Sequence, residues 1–268
     1  MNILEEIAER TKERVAQAKK ARPLEQIERE AKTLPAETGF PFEKALAQTG
    51  ISFICEVKKA SPSKGVIVQD FPYLEIAKEY ESAGARAISV LTEPFYFQGA
   101  DAFLEKISTQ VSIPLLRKDF VIDAYMIYEA KLLGASAVLL ICSLLPEETL
   151  REYLQLADSL GLSALVEVHD EEEAARAVRA GARVIGVNNR NLKDFTVDIY
   201  NSIRLRKLIP PDILFVSESG IRGAEDIREL AAHRADAVLV GETLMRAGNV
   251  KMVLSEMITA GKQMVIDG

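Results

Sequence analysis

Nitrogen and sulfur ligands are scarce in this chain, which has two histidines, His169 and His233, and two cysteines, Cys55 and Cys142. Neither histidine has a second nitrogen or sulfur at ligand spacing, so no zinc site is expected, and the chemistry is expected to need no metal and no other cofactor. Both cysteines lie inside apolar, strand-like runs, where a free thiol behaves as a small buried hydrophobe, so no disulfide is expected. No apolar run approaches the roughly 20 residues that a bilayer helix needs. The opening Met1-Asn-Ile-Leu-Glu-Glu-Ile lacks the charged-then-apolar order of a secretion signal, and Glu5, Glu6, Glu9 and Glu13 are wrong for an acid-poor transit peptide. A soluble, cytoplasmic protein with no membrane partner is the expectation. Basic excess is missing too: 33 Lys and Arg stand against 40 Asp and Glu, a net charge of −7, with no basic block clear of acidic neighbours. That excludes a nucleic-acid footprint and points to a small-molecule partner; a monomer is the separate expectation.

What the chain does have is a repeat of short apolar runs. With 268 residues, 48% of them hydrophobic, it is long enough for one large α/β domain of barrel size. After about residue 50, Val/Ile/Leu-rich runs fall at 52–58, 86–91, 113–117, 136–142, 163–168, 183–188, 213–217 and 236–240. Most are continuously apolar, as parallel strands covered by helices should be, and Glu147–Ser159 and Glu171–Ala180 between them carry the helical period. Ala83-Gly84-Ala85, Leu133-Gly134-Ala135 and Ala180-Gly181-Ala182 recur just before strands, where glycine can end a helix in the left-handed conformation. Eight such units predict a TIM (β/α)8 barrel. An open doubly wound sheet is the other arrangement, but it lacks a GxGxxG after the first strand. Residues 1–50 read as a helical extension packed on a 51–268 barrel of the same single domain. Ile3, Leu4, Ile7, Thr11 and Val15 keep helical spacing, and Pro23, Pro35 and Pro41 punctuate the remainder of the extension. The extension either covers the barrel's bottom or side, or folds over its mouth.

Function in such a barrel collects at the C-terminal ends of the strands. Alternation along Phe53-Ile-Cys-Glu-Val-Lys58 puts Glu56 and Lys58 on the side of Ile54, so ionic groups share a face with a core residue. Two unit charges about 4 Å apart interact by roughly 4 kcal/mol near a protein surface, whereas an unpaired buried charge costs several, so this arrangement marks a site. The pattern recurs: Lys118 shares parity with Leu116, Glu167 with Leu165, and Asn188 with Arg190, while Glu218 directly follows the seventh run. A solvated charge explains any one of these, but not the same feature on five strands. His169, directly after Glu167-Val168, is expected to point away or to begin the next helix, and His233 to be structural. Ser219-Gly220 and Gly241-Glu242 follow strands seven and eight, where barrels commonly hold phosphate on backbone N–H groups. There Glu242 would offer its main chain while its carboxylate points away. Ser61 and Lys64 could close the cradle from the first loop, and Lys64 with Gly65 makes that loop a candidate lid.

These motifs resemble the indole-3-glycerol phosphate synthase family of tryptophan biosynthesis: EVKKASPSKG at 56–65, LTEPFYFQG at 91–99, RKDF at 117–120, LVEVH at 165–169, GVNNRNL at 186–192, SESGI at 217–221 and VGETLM at 240–245. A familiar Ser after QG is Ala100 here. The resemblance implies a lyase that takes 1-(2-carboxyphenylamino)-1-deoxyribulose 5-phosphate, closes the pyrrole ring and loses carbon dioxide and water. By similarity, Lys118 is the general acid, Lys58 grips the carboxylate or shares proton delivery, and Glu167 is the second acid/base. Glu56 orients the lysines, Asn188 and Arg190 steady hydroxyls and developing charge, and Glu218 supports them. Pro62, Phe97, Phe120, Leu139 and Leu192 would wall the aromatic ring. Nearby Lys58 and Arg190 lead to the expectation of a depressed pKa for Lys118. Two other readings remain: a phosphoribosylanthranilate isomerase or similar phosphosugar barrel, whose usual Cys/Asp pair has no counterpart, and a phosphate-ligand binding protein that has lost catalysis. Ligand holding alone would not call for two carboxylates facing an anion.

Overall fold

The computed structural model describes residues 3–191 and 194–266. Eight parallel strands carry the chain's apolar runs: β1 (Ser52–Val57), β2 (Ala87–Leu91), β3 (Leu115–Lys118), β4 (Ala137–Ile141), β5 (Ser163–Val168), β6 (Val184–Asn188), β7 (Leu214–Glu218) and β8 (Ala237–Val240). Each pairs with its neighbours in sequence, and β1 pairs with both β2 and β8, so the sheet closes into a barrel. Ile54, Leu116, Leu139, Leu165, Val216 and Leu239 fill the interior. Residues of the other parity, among them Cys55, Val138, Val166, Ile185 and Val238, pack against the surrounding helices. The third strand begins two residues later than its apolar run. Pro114 has no N–H for the ladder, although its carbonyl still accepts from Ile88 N at 3.0 Å.

Helices α4 (Tyr73–Ser82), α5 (Asp101–Ser108), α6 (Ala124–Leu132), α7 (Glu147–Ser159), α8 (Glu171–Ala180), α9 (Tyr200–Arg206), α10 (Ala224–Ala232), α11 (Glu242–Met245) and α12 (Val250–Ile266) follow the strands. Gly84, Gly134 and Gly181 have φ of 99°, 82° and 92°, the left-handed turn that lets each helix stop and the chain re-enter the sheet. Asp123 and Asp170 cap α6 and α8 by accepting from Tyr125 N and Glu173 N.

Ahead of the barrel lie α1 (Ile3–Ala21), α2 (Leu24–Ala31) and α3 (Pro41–Leu46). Both geometries considered for this extension occur, at opposite ends of the barrel. At the floor, Phe42 and Leu46 of α3 join the interior cluster, and Ser52 Oγ donates to Ala45 O and Leu46 O at 3.0 and 3.1 Å. Glu43 accepts from Ser163 Oγ at 2.9 Å and pairs with Arg183 at 2.9 Å, tying α3 to the beginnings of β5 and β6. At the mouth, Ile3, Leu4 and Ile7 of α1 line the cavity above the strand ends. Lys131 of α6 donates to Pro35 O at 2.7 Å and fixes the connection between the two ends.

Strand β3 is anchored by charge on its outer face. Arg117 is fully buried and donates to Asp101 at 2.7 Å, Glu129 at 2.6 Å, Thr92 Oγ1 at 3.2 Å and Met126 O at 2.9 Å. Asp119, of the same parity, accepts from Thr92 Oγ1 at 2.6 Å and pairs with Arg14 of α1 at 2.7 Å. Burial alone would raise the Asp119 pKa, but Arg14 and Arg117 hold it below the usual carboxylate range. Lys118, between the two, is thereby directed inward on a fixed backbone.

Several helix starts lack a side-chain cap, α5 among them. Ala100 has the extended conformation of an N-cap (φ −158°, ψ 145°) but no side-chain acceptor for the first turn of α5. Ala100→Ser supplies one, and a cap of this kind is worth about 1 kcal/mol. For a chain of this size the melting temperature should rise by about 2–4 °C, which differential scanning calorimetry would read.

Candidate active site

A cavity of about 550 Å³ opens at the C-terminal ends of the strands. It is lined by Glu56, Lys58, Lys118, Glu167, Asn188, Arg190 and Glu218, and by Ser61, Pro62, Phe97, Phe120, Leu139, Ser219, Gly220, Gly241 and Glu242. The described candidates from the sequence thus converge on one space, and Leu192 lies outside the described residues. Alternation along the strands is the cause: Glu56, Lys118, Glu167 and Glu218 share their faces with the interior residues Ile54, Leu116, Leu165 and Val216 one pleat below.

The charges are interlocked. Lys58 Nζ lies 2.5 Å from Glu56 Oε2, and Lys118 Nζ lies 3.0 Å from Glu167 Oε2 and 3.4 Å from Glu218 Oε2. Asn188 Nδ2 donates to Glu167 Oε1 at 3.2 Å, while Asn188 Oδ1 accepts from Arg190 N at 3.0 Å. Glu218 reaches the interior because residue 186 is glycine; a Cβ there would lie 2.1 Å from Glu218 Oε1. That oxygen is buried and has no hydrogen-bond partner among the described residues. Burial raises the Glu218 carboxyl to about 7; Lys118 opposes the shift, while Glu167 and Glu56 add to it. Glu167 goes the other way, since Lys118 and His169 outweigh its burial and hold it well below the usual range.

Lys118 departs from the expectation of a depressed pKa. Burial favours the neutral amine, but Glu167, Glu218 and Glu56 outweigh it and raise the ammonium pKa above its ordinary value. The cations thought to lie closest, Lys58 and Arg190, are held by other partners: Lys58 by Glu56, and Arg190 by Phe195 O at 3.3 Å. His169 is a second correction. It neither points away nor starts a helix, since β5 ends at Val168 and α8 begins at Glu171. Its Nε2 lies 3.3 Å from Glu167 Oε1 and its Nδ1 lies 3.0 Å from Glu173 Oε2.

At the apolar side of the cavity, the rings of Phe97 and Phe120 are 5.9 Å apart and tilted by 39°, a wall suited to an aromatic group. Glu93 shapes the loop that carries Phe97 by accepting from the backbone N–H groups of Phe95, Tyr96 and Phe97. Across the mouth, Ser219 and Gly220 have φ of 68° and 83°, a tandem left-handed turn that brings backbone to the cavity. Glu242 is held by Arg246 at 3.1 Å and faces Lys64 at 3.7 Å. Sequence reasoning missed Asp119, Arg222, Thr243 and Arg246, which also line the cavity. The parity of Arg117 and Asp119, opposite to that of Lys118, was a usable signal for the outer pair, whereas the two loop arginines carried none. Among the described residues, no group of three or more His, Cys, Asp or Glu side chains could hold a metal ion, and no helix is long and apolar enough to cross a membrane.

Solved structures of similar shape share little sequence and speak for the fold alone. A 3-hexulose-6-phosphate synthase from Salmonella typhimurium is 14% identical at a TM-score of 0.67, covering 80% of this chain and 100% of that one. A thiamine phosphate pyrophosphorylase from Pyrococcus furiosus is 18% identical at 0.59, covering 80% and 96%. Sequence relatives are much nearer. Indole-3-glycerol phosphate synthase of Ruminiclostridium cellulolyticum is 58% identical over 255 residues, 95% of this chain and 98% of the relative. The proteins of that name from Endomicrobium trichonymphae and Desulfotalea psychrophila are 53% and 47% identical, covering 95% and 96% of this chain and 99% and 98% of their own. The family described as indole-3-glycerol phosphate synthase matches residues 4–257. With relatives this similar over nearly its whole length, the chain belongs to the indole-3-glycerol phosphate synthase family.

Proposed function

We propose that the barrel mouth converts 1-(2-carboxyphenylamino)-1-deoxyribulose 5-phosphate to indole-3-glycerol phosphate, with Lys118 and Glu167 at the reacting atoms. The observation that carries this reading is the convergence of Glu56, Lys58, Lys118 and Glu167 on one cavity that also has an aromatic wall. The substrate carries a carboxylate and a phosphate joined by a sugar, and it must fold so that the aryl carbon bearing the carboxylate meets the ketose carbonyl. Holding two parts of one molecule at near-attack distance can lower the barrier by several kcal/mol.

In this scheme the anthranilate ring rests on Phe97 and Phe120 with Pro62 and Leu139, and Lys58 meets its carboxylate. The phosphate sits on the backbone of Ser219-Gly220 and Gly241-Glu242, with Ser61, Arg222 and Arg246 nearby. As the aryl carbon attacks, the carbonyl oxygen gains negative charge and becomes basic. Lys118 is an ammonium in the empty site, so it stabilises that charge from the start and gives up its proton once the oxygen is basic enough. Carbon dioxide then leaves, and the electron pair of its bond restores the aromatic ring. The new hydroxyl departs as water with a proton from the site while Glu167, ionised and 3.0 Å from Lys118, takes a proton from the pyrroline ring. Glu218, which can carry a proton near neutrality and lies 3.4 Å from Lys118, can return one to the amine. Asn188 and Arg190 steady the sugar hydroxyls.

Two outcomes test this. Lys118→Met should fold as the parent does and lose turnover by roughly a hundredfold or more, followed by indole fluorescence as substrate is consumed. Turnover near the parental rate would mean that the first proton comes from elsewhere. The second concerns Glu218. Its carboxyl titrates near 7 when folded and near the ordinary glutamate value of about 4.3 when unfolded. Between these values the folded form holds the extra proton, so the contribution of Glu218 to stability is complete at low pH and is lost as pH rises through 7. Glu218→Gln mimics the protonated state, so it should match the parent at pH 5. At pH 8 it should exceed the parent by on the order of 1–3 kcal/mol. Melting curves at the two pH values read the difference, and an equal offset at both would contradict the assignment.

A further inference from the structure

We infer that His169 is a positioning residue for the reaction, an imidazolium held between two carboxylates that keeps Glu167 ionised. This deepens the acid–base reading of Glu167 and rests on it. Both ring nitrogens of His169 face carboxylate oxygens: Nε2 is 3.3 Å from Glu167 Oε1 and Nδ1 is 3.0 Å from Glu173 Oε2. A neutral imidazole has one N–H, so in this arrangement one nitrogen would turn its lone pair toward an anion. A doubly protonated ring gives Glu173 an N–H to accept from and sets a positive charge beside Glu167, whose 3.3 Å contact with Nε2 is an ion-pair contact without hydrogen-bond geometry.

The ring is held in place rather than free to turn. The same Glu173 oxygen accepts from His169 N at 2.8 Å, and Asn201 Nδ2 donates to His169 O at 3.0 Å. Glu173 is in turn fixed at the first turn of α8, where its N–H donates to Asp170 Oδ1 at 2.9 Å. Behind the ring is a second, polar chamber of about 510 Å³, lined by His169, Asp170, Glu173, Arg190, Asp198 and Arg204, among others. The charged groups around His169 are therefore Glu167 near the end of β5, Asp170 and Glu173 at the start of α8, Arg190 and Asp198 from the loop after β6, and Arg204 of α9. Lys118 lies beyond Glu167.

The charge balance of the cavity gives this cation a purpose. Lys58 is taken by Glu56, and Lys118 is shared between Glu167 and Glu218. Without His169, Glu167 would have the Asn188 amide and a share of one ammonium to hold it ionised. It would then share a proton with Glu218 instead of differing from it, and pairs of carboxyl groups pushed apart in pKa divide acid and base roles. Burial alone would neutralise His169, but Glu167 and Glu173 outweigh it and raise its pKa to about 10.

Because the chain has two histidines, 15N-histidine labelling of the full-length protein gives a readable pair of rings, assigned by the signal lost in His233→Gln. His169 should be doubly protonated at pH 7, and in Glu173→Gln the midpoint of its deprotonation should fall by at least one pH unit. In His169→Gln the acid limb of kcat/KM should move up by roughly one to three pH units, the effect of losing one close cation. His169→Lys, which keeps a cation there, should hold the limb near its parental position. A side chain that merely packs would leave that limb in place. A neutral His169 ring at pH 7 overturns the proposal, as does an unmoved acid limb in folded His169→Gln. If that variant does not fold, an unchanged ring midpoint in Glu173→Gln overturns it. Parental turnover in Glu167→Gln would instead remove the acid–base reading, a failure that the charge state of the ring does not share.

Discussion

An ammonium group enclosed by carboxylates from different strands is the constraint around which this barrel mouth is organised. Lys118 has Glu167 of β5 and Glu218 of β7 within 3.4 Å, and Glu56 of β1 acts on it from further away. None of these groups could be buried alone, because an isolated charge in a barrel interior costs several kcal/mol. Each is tolerable because the others are there. The three carboxylates are not equivalent, however. Glu167 has Lys118, Asn188 and His169 around it, whereas Glu218 shares Lys118 and leaves one oxygen without a partner among the described residues. Identical side chains therefore have their carboxyl pKa values pushed in opposite directions.

The surrounding structure keeps that cluster in register. Lys118 sits between Arg117 and Asp119, whose side chains go outward into a buried network with Asp101, Glu129, Thr92 and Arg14. Breaking a buried network of this kind by removing one partner is strongly destabilising, so the position of the strand is well determined. The N-terminal extension joins the same network through Arg14. It also contributes Leu4 to the mouth and Phe42 to the floor, so one segment seals both ends of the interior.

How the sequence relates to this arrangement differs from feature to feature. The eight apolar runs coincide with the strands to within two residues, because continuous burial on both faces leaves the same compositional mark wherever a parallel strand occurs. Parity then put Glu56, Lys58, Lys118, Glu167 and Asn188 on the interior face without any structural information, since alternation is a local property of the backbone. The extension could not be placed that way. Its amphipathic spacing required a partner surface but did not say which of several apolar surfaces would take it.

Charge states were the least legible. Lys118 was expected to lie among cations, and it lies among anions; His169 was expected to turn outward, and it turns between two glutamates. Local alternation fixes the face on which a side chain emerges, but a pKa depends on distances between atoms on different strands, set by barrel closure and loop path. The sequence alone determined the barrel, its number of repeats, the rim where chemistry collects and the residue types gathered there, because each follows from periodicity over a few residues. Only the tertiary structure decided which carboxyl pKa is raised and which lowered, which cation each one holds and how the extension closes both ends. Those outcomes are sums over long-range contacts, and no stretch of chain contains them.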